Sequence, residues 1–318
     1  MKSVELWHDL QKSWLEPSEL SSPSEDQLLI RSMYSLISAG TERVLTNQML
    51  DPELAHKMAV LYQKGTLSQR FTYGYSLVGE VISEGNLNGK YVHVMHPHQD
   101  VVLVKRDDVR VLPEGMDPKL ATLISNMETA VNAVWDAQIE LGDRVLIQGY
   151  GTIGALVAST LQKHPGLNLH VHEIDPLKSD LIAAHGLGFY DGEEKEFDVV
   201  FNTTSSEQAL KDAFRLTRLE GTVIELSWYG NRQVNLSLGE NFHYGRKRLI
   251  CSQVSHIPYR KQPIWNYKNR KDLVIRLLQE INPIYLLGNE INFQDTPEFY
   301  DKLRAGEIKE LSTIINYR

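Results

Sequence analysis

Between positions 144 and 154 the chain reads Arg-Val-Leu-Ile-Gln-Gly-Tyr-Gly-Thr-Ile-Gly. A short apolar strand runs into Gly149, Gly151 and Gly154, spaced Gly-x-Gly-x-x-Gly. Ala155, Leu156, Val157 and Ala158 then continue as helix material. Each glycine has its own task in a phosphate-binding turn. Gly149 allows the tight bend, Gly151 lets backbone approach a pyrophosphate, and Gly154 lets helix pack against strand. The first N–H groups of the helix and its positive dipole end face the phosphates, with Thr152 and Ile153 lining the turn. A strand over 168–174 follows and leads to Asp175, and 175 − 154 = 21, near the ~20-residue separation of an acid that holds the adenosine ribose. Such a carboxylate accepts both ribose hydroxyls and repels a 2′-phosphate, which puts NAD ahead of NADP; Lys178 close by softens that repulsion. Asn202, Thr203 and Ser227 fall at the C-terminal ends of later strands, where ligands sit in open α/β sheets. The alternative is a glycine-rich turn in an unrelated α/β protein.

Other chemistry-bearing residues are scattered. His96-Pro97-His98 precedes a strand at Val101. Two histidines two apart share a strand face and form a metal half-site to which Asp100 adds a carboxylate. Alternatively one of them, His98, serves as general acid or base, or the stretch is a polar loop. His170 and His172 alternate on a strand and read as packing or edge positions. The single cysteine, Cys251, lies in an apolar stretch that reads as a buried strand, so it is expected to pack as a small hydrophobe.

The elements that position these residues change character along the chain. Up to about position 115 the sequence is β-rich, with strands over 27–34, 75–82, 90–95 and 100–105 separated by turn residues, and a helix over 52–63. From 118 onward a helix over 120–138 leads into alternation. Strands are expected over 144–149, 168–174, 197–202, 221–227 and 248–254, with helices over 152–164, 176–185 and 206–217. This pattern means parallel strands with helices on both faces. After Ser255 helices near 271–280 and 295–305 and a strand over 311–316 follow, and this tail is expected to return to the first domain.

The 318 residues are 42% hydrophobic and 23% charged, ordinary for a globular chain of two domains. The formal net charge of −8 removes the basic surface that nucleic acid or an anionic membrane requires. No stretch of about 18 apolar residues exists to span a bilayer. The N-terminus has no apolar core of a signal peptide, and one cysteine permits no intrachain disulfide, so a cytoplasmic location is expected.

With those parts in place the chain resembles the medium-chain dehydrogenase/reductase family of alcohol-dehydrogenase type. The resemblance rests on Ser38-Ala39-Gly40-Thr41-Glu42, on the stretch Gly74-Tyr75-Ser76-Leu77-Val78-Gly79-Glu80, on Val111 to Gly115, on Glu128-Thr129-Ala130 and on the glycine motif. It implies an α/β protein with a β-rich GroES-like catalytic domain over 1–117, completed by 256–318. A Rossmann doubly wound parallel sheet would occupy 118–255. It also implies a small-molecule substrate, a homodimer, and Thr129 near the nicotinamide end; Glu128 beside it reads as a helix-start charge or a catalytic group.

The departures matter equally. The family's three zinc-ligand positions fall here on Ala39, Tyr75 and Ser125, and the lobe that holds a structural zinc has no room between Met95 and Val101. Zinc takes thiolate, imidazole or carboxylate donors, so no zinc is expected. A carbonyl oxygen must then be polarised by hydrogen-bond donors, for which the resemblance offers Tyr75, in place of a histidine ligand, and Thr41, which matches the family's proton-relaying hydroxyl. Alternatively Tyr75 fills the vacated cavity. The expected activity is a zinc-independent oxidoreductase passing a hydride between NAD(H) and an alcohol/carbonyl pair. The alternatives are an NADPH-dependent enone or quinone reductase and a catalytically inactive nucleotide-binding protein.

Overall fold

The computed structural model describes residues 1–48, 50–192 and 196–318. Two compact units divide the chain: Met1–Ser125 with Ile284–Arg318, and Asn126–Pro283.

In the second unit six parallel strands lie in the order Gly188–Phe189, Asn168–His172, Arg144–Gln148, Phe197–Asn202, Thr217–Glu225, Arg248–Cys251. Numbered along the chain within the unit, that is 3-2-1-4-5-6, the order of a doubly wound dinucleotide-binding sheet, and it reverses beside Arg144–Gln148. The strands form because their centres are apolar on both faces: Val145, Leu146, Ile147, Val200, Phe201, Val223 and Ile224 are all buried. Leu210, Ala213 and Phe214 make one stripe of the helix Glu207–Leu216, which lies on Leu146, Val200 and Val223.

Several boundaries differ from expectation for physical reasons. The expected helix over 120–138 is two, Pro118–Ala121 and Ile124–Ala137, with tight turns through Thr122 and Leu123 between them. The helix expected over 176–185 opens as the 3-10 turn Pro176–Lys178 before Ser179–Ala184. The helix over 52–63 is only Pro52–Lys57. The last strand stops at Cys251 and lies at the sheet edge, so Cys251 is exposed, not the buried hydrophobe expected.

In the first unit the eleven-residue strand Gln27–Ile37 is the spine. It pairs with Leu77–Val81, Val101–Lys105 and Thr313–Asn316, all antiparallel. Tyr91–Val94, Val109–Val111 and Asn289–Asn292 extend the sheet, around a core that includes Leu28, Ile30, Leu77, Val92 and Val102. Lys2–His8, Ser13–Glu19 and Phe71–Thr72 form a second, small sheet. None of these three strands had a counterpart among the sequence-based elements. Among the described residues no helix is long and apolar enough to cross a membrane.

The tail divides differently from the sequence-based domains. Residues 284–318 return to the first unit, but 256–283 stay with the second. A buried polar clamp accounts for this. From the helix Tyr267–Ile281, Arg270 donates to Glu128 at 3.2 Å, to Asn132 at 3.0 Å and to the Val254 carbonyl at 2.8 Å. Lys271 lies 3.5 Å from the other Glu128 oxygen, and Asn132 donates to the His256 carbonyl at 3.2 Å. Glu128 is therefore a clamp residue. Arg270→Ala leaves this carboxylate buried with only Lys271 opposite it. The expected loss is about 3 kcal/mol of unfolding free energy, the lower end for breaking a buried pair, measured by denaturant titration. A loss under about 1 kcal/mol would mean the pair contributes no more than a surface ion pair.

Candidate active site

The glycine turn is built as its spacing requires. Gly149 has φ +91°, and a side chain there would meet Thr203 Oγ1 at 2.9 Å. A Cβ on Gly154 would collide with the Gly149 carbonyl oxygen, whereas one on Gly151 would meet nothing within 4 Å. The helix Thr152–Gln162 starts directly after Gly151 with no side-chain cap. The one open glycine therefore lies at an uncapped helix start, a suitable cradle for a pyrophosphate. Thr152 and Ile153 form its first turn, and Thr129 is a partly exposed position on Ile124–Ala137.

The residues expected to line the crevice at the strand ends are largely bonded to one another. Thr203 Oγ1 donates to the Gln148 carbonyl at 2.9 Å, which pins the turn from the neighbouring strand. Gln148, Asn202 and Glu225 are in register across three adjacent strands. Asn202 Nδ2 donates to Glu225 at 2.7 Å, and its Oδ1 accepts from the Thr204 hydroxyl at 2.7 Å. Ser227 N–H donates to Glu225 at 2.7 Å, while its Oγ accepts from Ser205 N–H at 2.9 Å. Burial pushes the Glu225 carboxyl up despite these donors. Asn202, Thr203 and Ser227 thus brace the rim of the sheet.

The acid next to the glycine turn is Glu173, which the sequence reading passed over. Its Oε2 accepts from Tyr150 N–H at 2.8 Å, inside the glycine motif, and its Oε1 accepts from Ile174 and Asp175 N–H at 2.8 and 2.9 Å. Lys178 Nζ lies 3.4 Å away. Burial acts to raise this carboxyl, but the backbone donors and Lys178 together hold it below the usual range. Asp175 instead accepts from Leu177 N–H at 3.1 Å, capping its own 3-10 turn. The spacing contained both options, since 173 − 154 = 19 is as near to 20 as 21 is; the strand ends at His172, and Glu173 is the carboxylate that meets the glycine turn.

In the first unit, Ser38, Ala39, Thr41 and Tyr75 form a partly open patch. The Tyr75 phenol donates to Ser38 Oγ, with the Thr41 hydroxyl close to it. Burial, countered by these hydroxyls and reinforced by the Glu42 charge, pushes the phenol up to about 12. Ser125 Oγ donates to the Tyr75 carbonyl at 2.8 Å. Of the three positions that the resemblance assigns to zinc ligands, the phenol of Tyr75 is neutral, Ser125 is committed to the Tyr75 carbonyl, and the methyl group of Ala39 packs against the core around Leu6, Ile37 and Phe299. These do not fit zinc. Among the described residues no group of three or more His, Cys, Asp or Glu is arranged to hold a metal.

Behind the patch lies a buried hydrogen-bonded chain. Glu42 Oε1 accepts from Ser38 N–H at 2.7 Å, and its Oε2 accepts from the Tyr300 phenol and lies 3.3 Å from His98 Nε2. His98 Nδ1 meets Ser35 Oγ at 2.7 Å, and Ser35 meets the Tyr317 hydroxyl at 2.8 Å. At 0% exposure His98 is an interior member of this chain and does not reach the patch surface. His96 turns the other way and stacks on Tyr62 with centroids 5.1 Å apart. Asp100 accepts from Ser3 Oγ and Val4 N–H, both at 2.8 Å. The half-site imagined for these three residues does not form, because a proline between the histidines and separate partners send them apart.

No family model matches the chain. Escherichia coli (strain K12) D-guloside 3-dehydrogenase is 25% identical over 257 residues, 73% of each chain. Among solved structures, an alcohol dehydrogenase of E. coli CFT073 complexed with NADH superposes with a TM-score of 0.76 at 12% identity, over 99% of each chain. S. aureus TarJ in complex with NADPH superposes with a TM-score of 0.74 at 17% identity, over 100% of each chain.

The last two glycines of the motif should respond differently to one methyl group. Gly154→Ala forces helix and strand apart and is expected to lower unfolding free energy by about 2 kcal/mol. Gly151→Ala, entering open space, should change it by less than about 0.5 kcal/mol. Denaturant titration of both variants reads the difference, and equal stabilities would contradict the close approach at Gly154.

Proposed function

The chain belongs to the alcohol-dehydrogenase-like medium-chain dehydrogenase/reductases, and on that premise we propose that it is a zinc-independent oxidoreductase acting on an alcohol/carbonyl pair with NAD(H). The observation that carries this reading is the patch of Tyr75, Ser38 and Thr41 on the family's metal positions. It offers hydroxyl donors where relatives of the family place a Lewis acid. The nicotinamide cofactor, when bound, supplies the hydride acceptor or donor. The protein's residues do the rest.

The open Gly151 and the uncapped start of Thr152–Gln162 hold the pyrophosphate. Glu173 accepts the ribose hydroxyls, and its negative charge disfavours a 2′-phosphate, with Lys178 moderating that preference. The substrate oxygen sits at the hydroxyl patch. A phenol held near 12 stays protonated through the neutral range, so Tyr75, its O–H turned from Ser38 to the substrate, donates a hydrogen bond to the oxygen as charge grows on it, while the Ser38 hydroxyl donates in turn to the phenol oxygen.

Two measurements test the reading. Glu173→Ala should weaken NADH binding more than NADPH binding by calorimetry, by roughly tenfold for a lost charge-assisted contact; equal weakening would remove Glu173 from the ribose. Tyr75→Phe should lower kcat by about 100-fold, as for loss of one oxyanion donor. The substrate panel should begin with hydroxyl-rich compounds, because D-guloside 3-dehydrogenase is a relative. Wild-type turnover should survive dialysis against a chelator. Activity lost on chelation and restored by zinc would overturn the metal-free mechanism.

A further inference from the structure

Glu42 reaches no surface, yet it gathers three elements behind the hydroxyl patch: Ser38 N–H at the start of the helix Ala39–Asn47, Tyr300 from Thr296–Ala305, and His98 from the loop before Val101–Lys105. Its side chain is only 2% exposed. A carboxylate this deep persists only when donors surround it, and here they do. Its two oxygens also face different ways. One is fixed to the backbone of Ser38, the residue that receives the Tyr75 proton. The other is bound by His98 and Tyr300, and His98 is itself backed by Ser35 and Tyr317.

We propose that Glu42 is a positioning residue for the hydroxyl patch: it fixes Ser38 beneath the Tyr75 phenol and sets a buried negative charge behind it. The proposal rests on the reading of Tyr75 as the oxygen-contacting donor. Because Glu42 acts through Ser38, a group facing the substrate is held by one that never meets it. The charge disfavours a phenolate at Tyr75, while the Ser38 hydroxyl, which accepts from the neutral phenol, can turn to donate to the ionised oxygen and so favours one. Glu42 and Ser38 therefore push the phenol in opposite directions. The other titratable groups around this cluster are Tyr73, whose ring centroid is 6.0 Å from that of Tyr75, and His98, Tyr300 and Tyr317. His8 lies beyond Tyr300, with ring centroids 4.5 Å apart.

Titration of the phenol tests this without cofactor or substrate. Stopped-flow alkaline jumps, read by tyrosinate absorbance before unfolding, give the Tyr75 midpoint as the difference between each protein and its Tyr75→Phe counterpart. Glu42→Gln keeps an acceptor for Ser38 N–H and deletes the charge, so the midpoint should fall by roughly one pH unit, the common effect of one adjacent charge. Ser38→Ala changes a partly exposed site and should raise it. An unmoved midpoint in folded Glu42→Gln overturns the proposal. If that variant does not fold, an unmoved midpoint in Ser38→Ala does so, since Ser38 is then not coupled to the phenol. An inactive wild-type protein with shifted midpoints would refute only the oxidoreductase reading.

Discussion

One buried carboxylate organises the first unit. Glu42 meets Ser38 N–H, the Tyr300 phenol and His98 in the interior, and each of these partners belongs to a different part of the chain. Satisfying it ties the start of Ala39–Asn47, the loop carrying His98 and the C-terminal helix Thr296–Ala305 to a single point. The core around Leu6, Ile37, Phe299 and Tyr300 closes over that point and keeps water from competing for the carboxylate. The hydroxyl patch is the outer face of this arrangement.

The second unit solves a related problem by other means. A phosphate cradle must leave backbone accessible while holding a strained turn. Gly149 takes the strain with its positive φ, Gly154 lets the helix close in, and Thr203 pins the turn from the adjacent strand. The row of Gln148, Asn202 and Glu225 braces the rim with side chains whose bonds point mostly to one another. Rigid support beneath a binding surface lowers what must be ordered when a ligand arrives.

Much of this was legible from the residues. The glycine spacing and the alternation of apolar runs with helical stripes led to the parallel sheet. What escaped has common physical causes. Glu173 and Asp175 satisfy the same count, and only the folded chain shows that Glu173 meets the glycine turn. The strands Lys2–His8 and Ser13–Glu19 carry Glu5, Glu16 and Pro17 among their residues, which blurs the alternation. The return of 256–283 to the second unit depends on Arg270 finding Glu128, a pairing 142 positions apart that no local pattern records. His98 read as a general acid or base because its partners, Ser35 and Glu42, lie 63 and 56 positions away along the chain.

The closing strand Thr313–Asn316 and the Tyr300 phenol have a bearing on synthesis. The second unit is one continuous stretch, whereas the first is interrupted by it. A ribosome delivers all of Asn126–Pro283 before Gln27–Ile37 receives its last neighbour. Domains generally fold as units during translation. The nucleotide-cradling half is thus ready first, and the N-terminal half waits, with the Tyr34–Ile37 end of its spine strand unpaired on one side, until the final segment emerges.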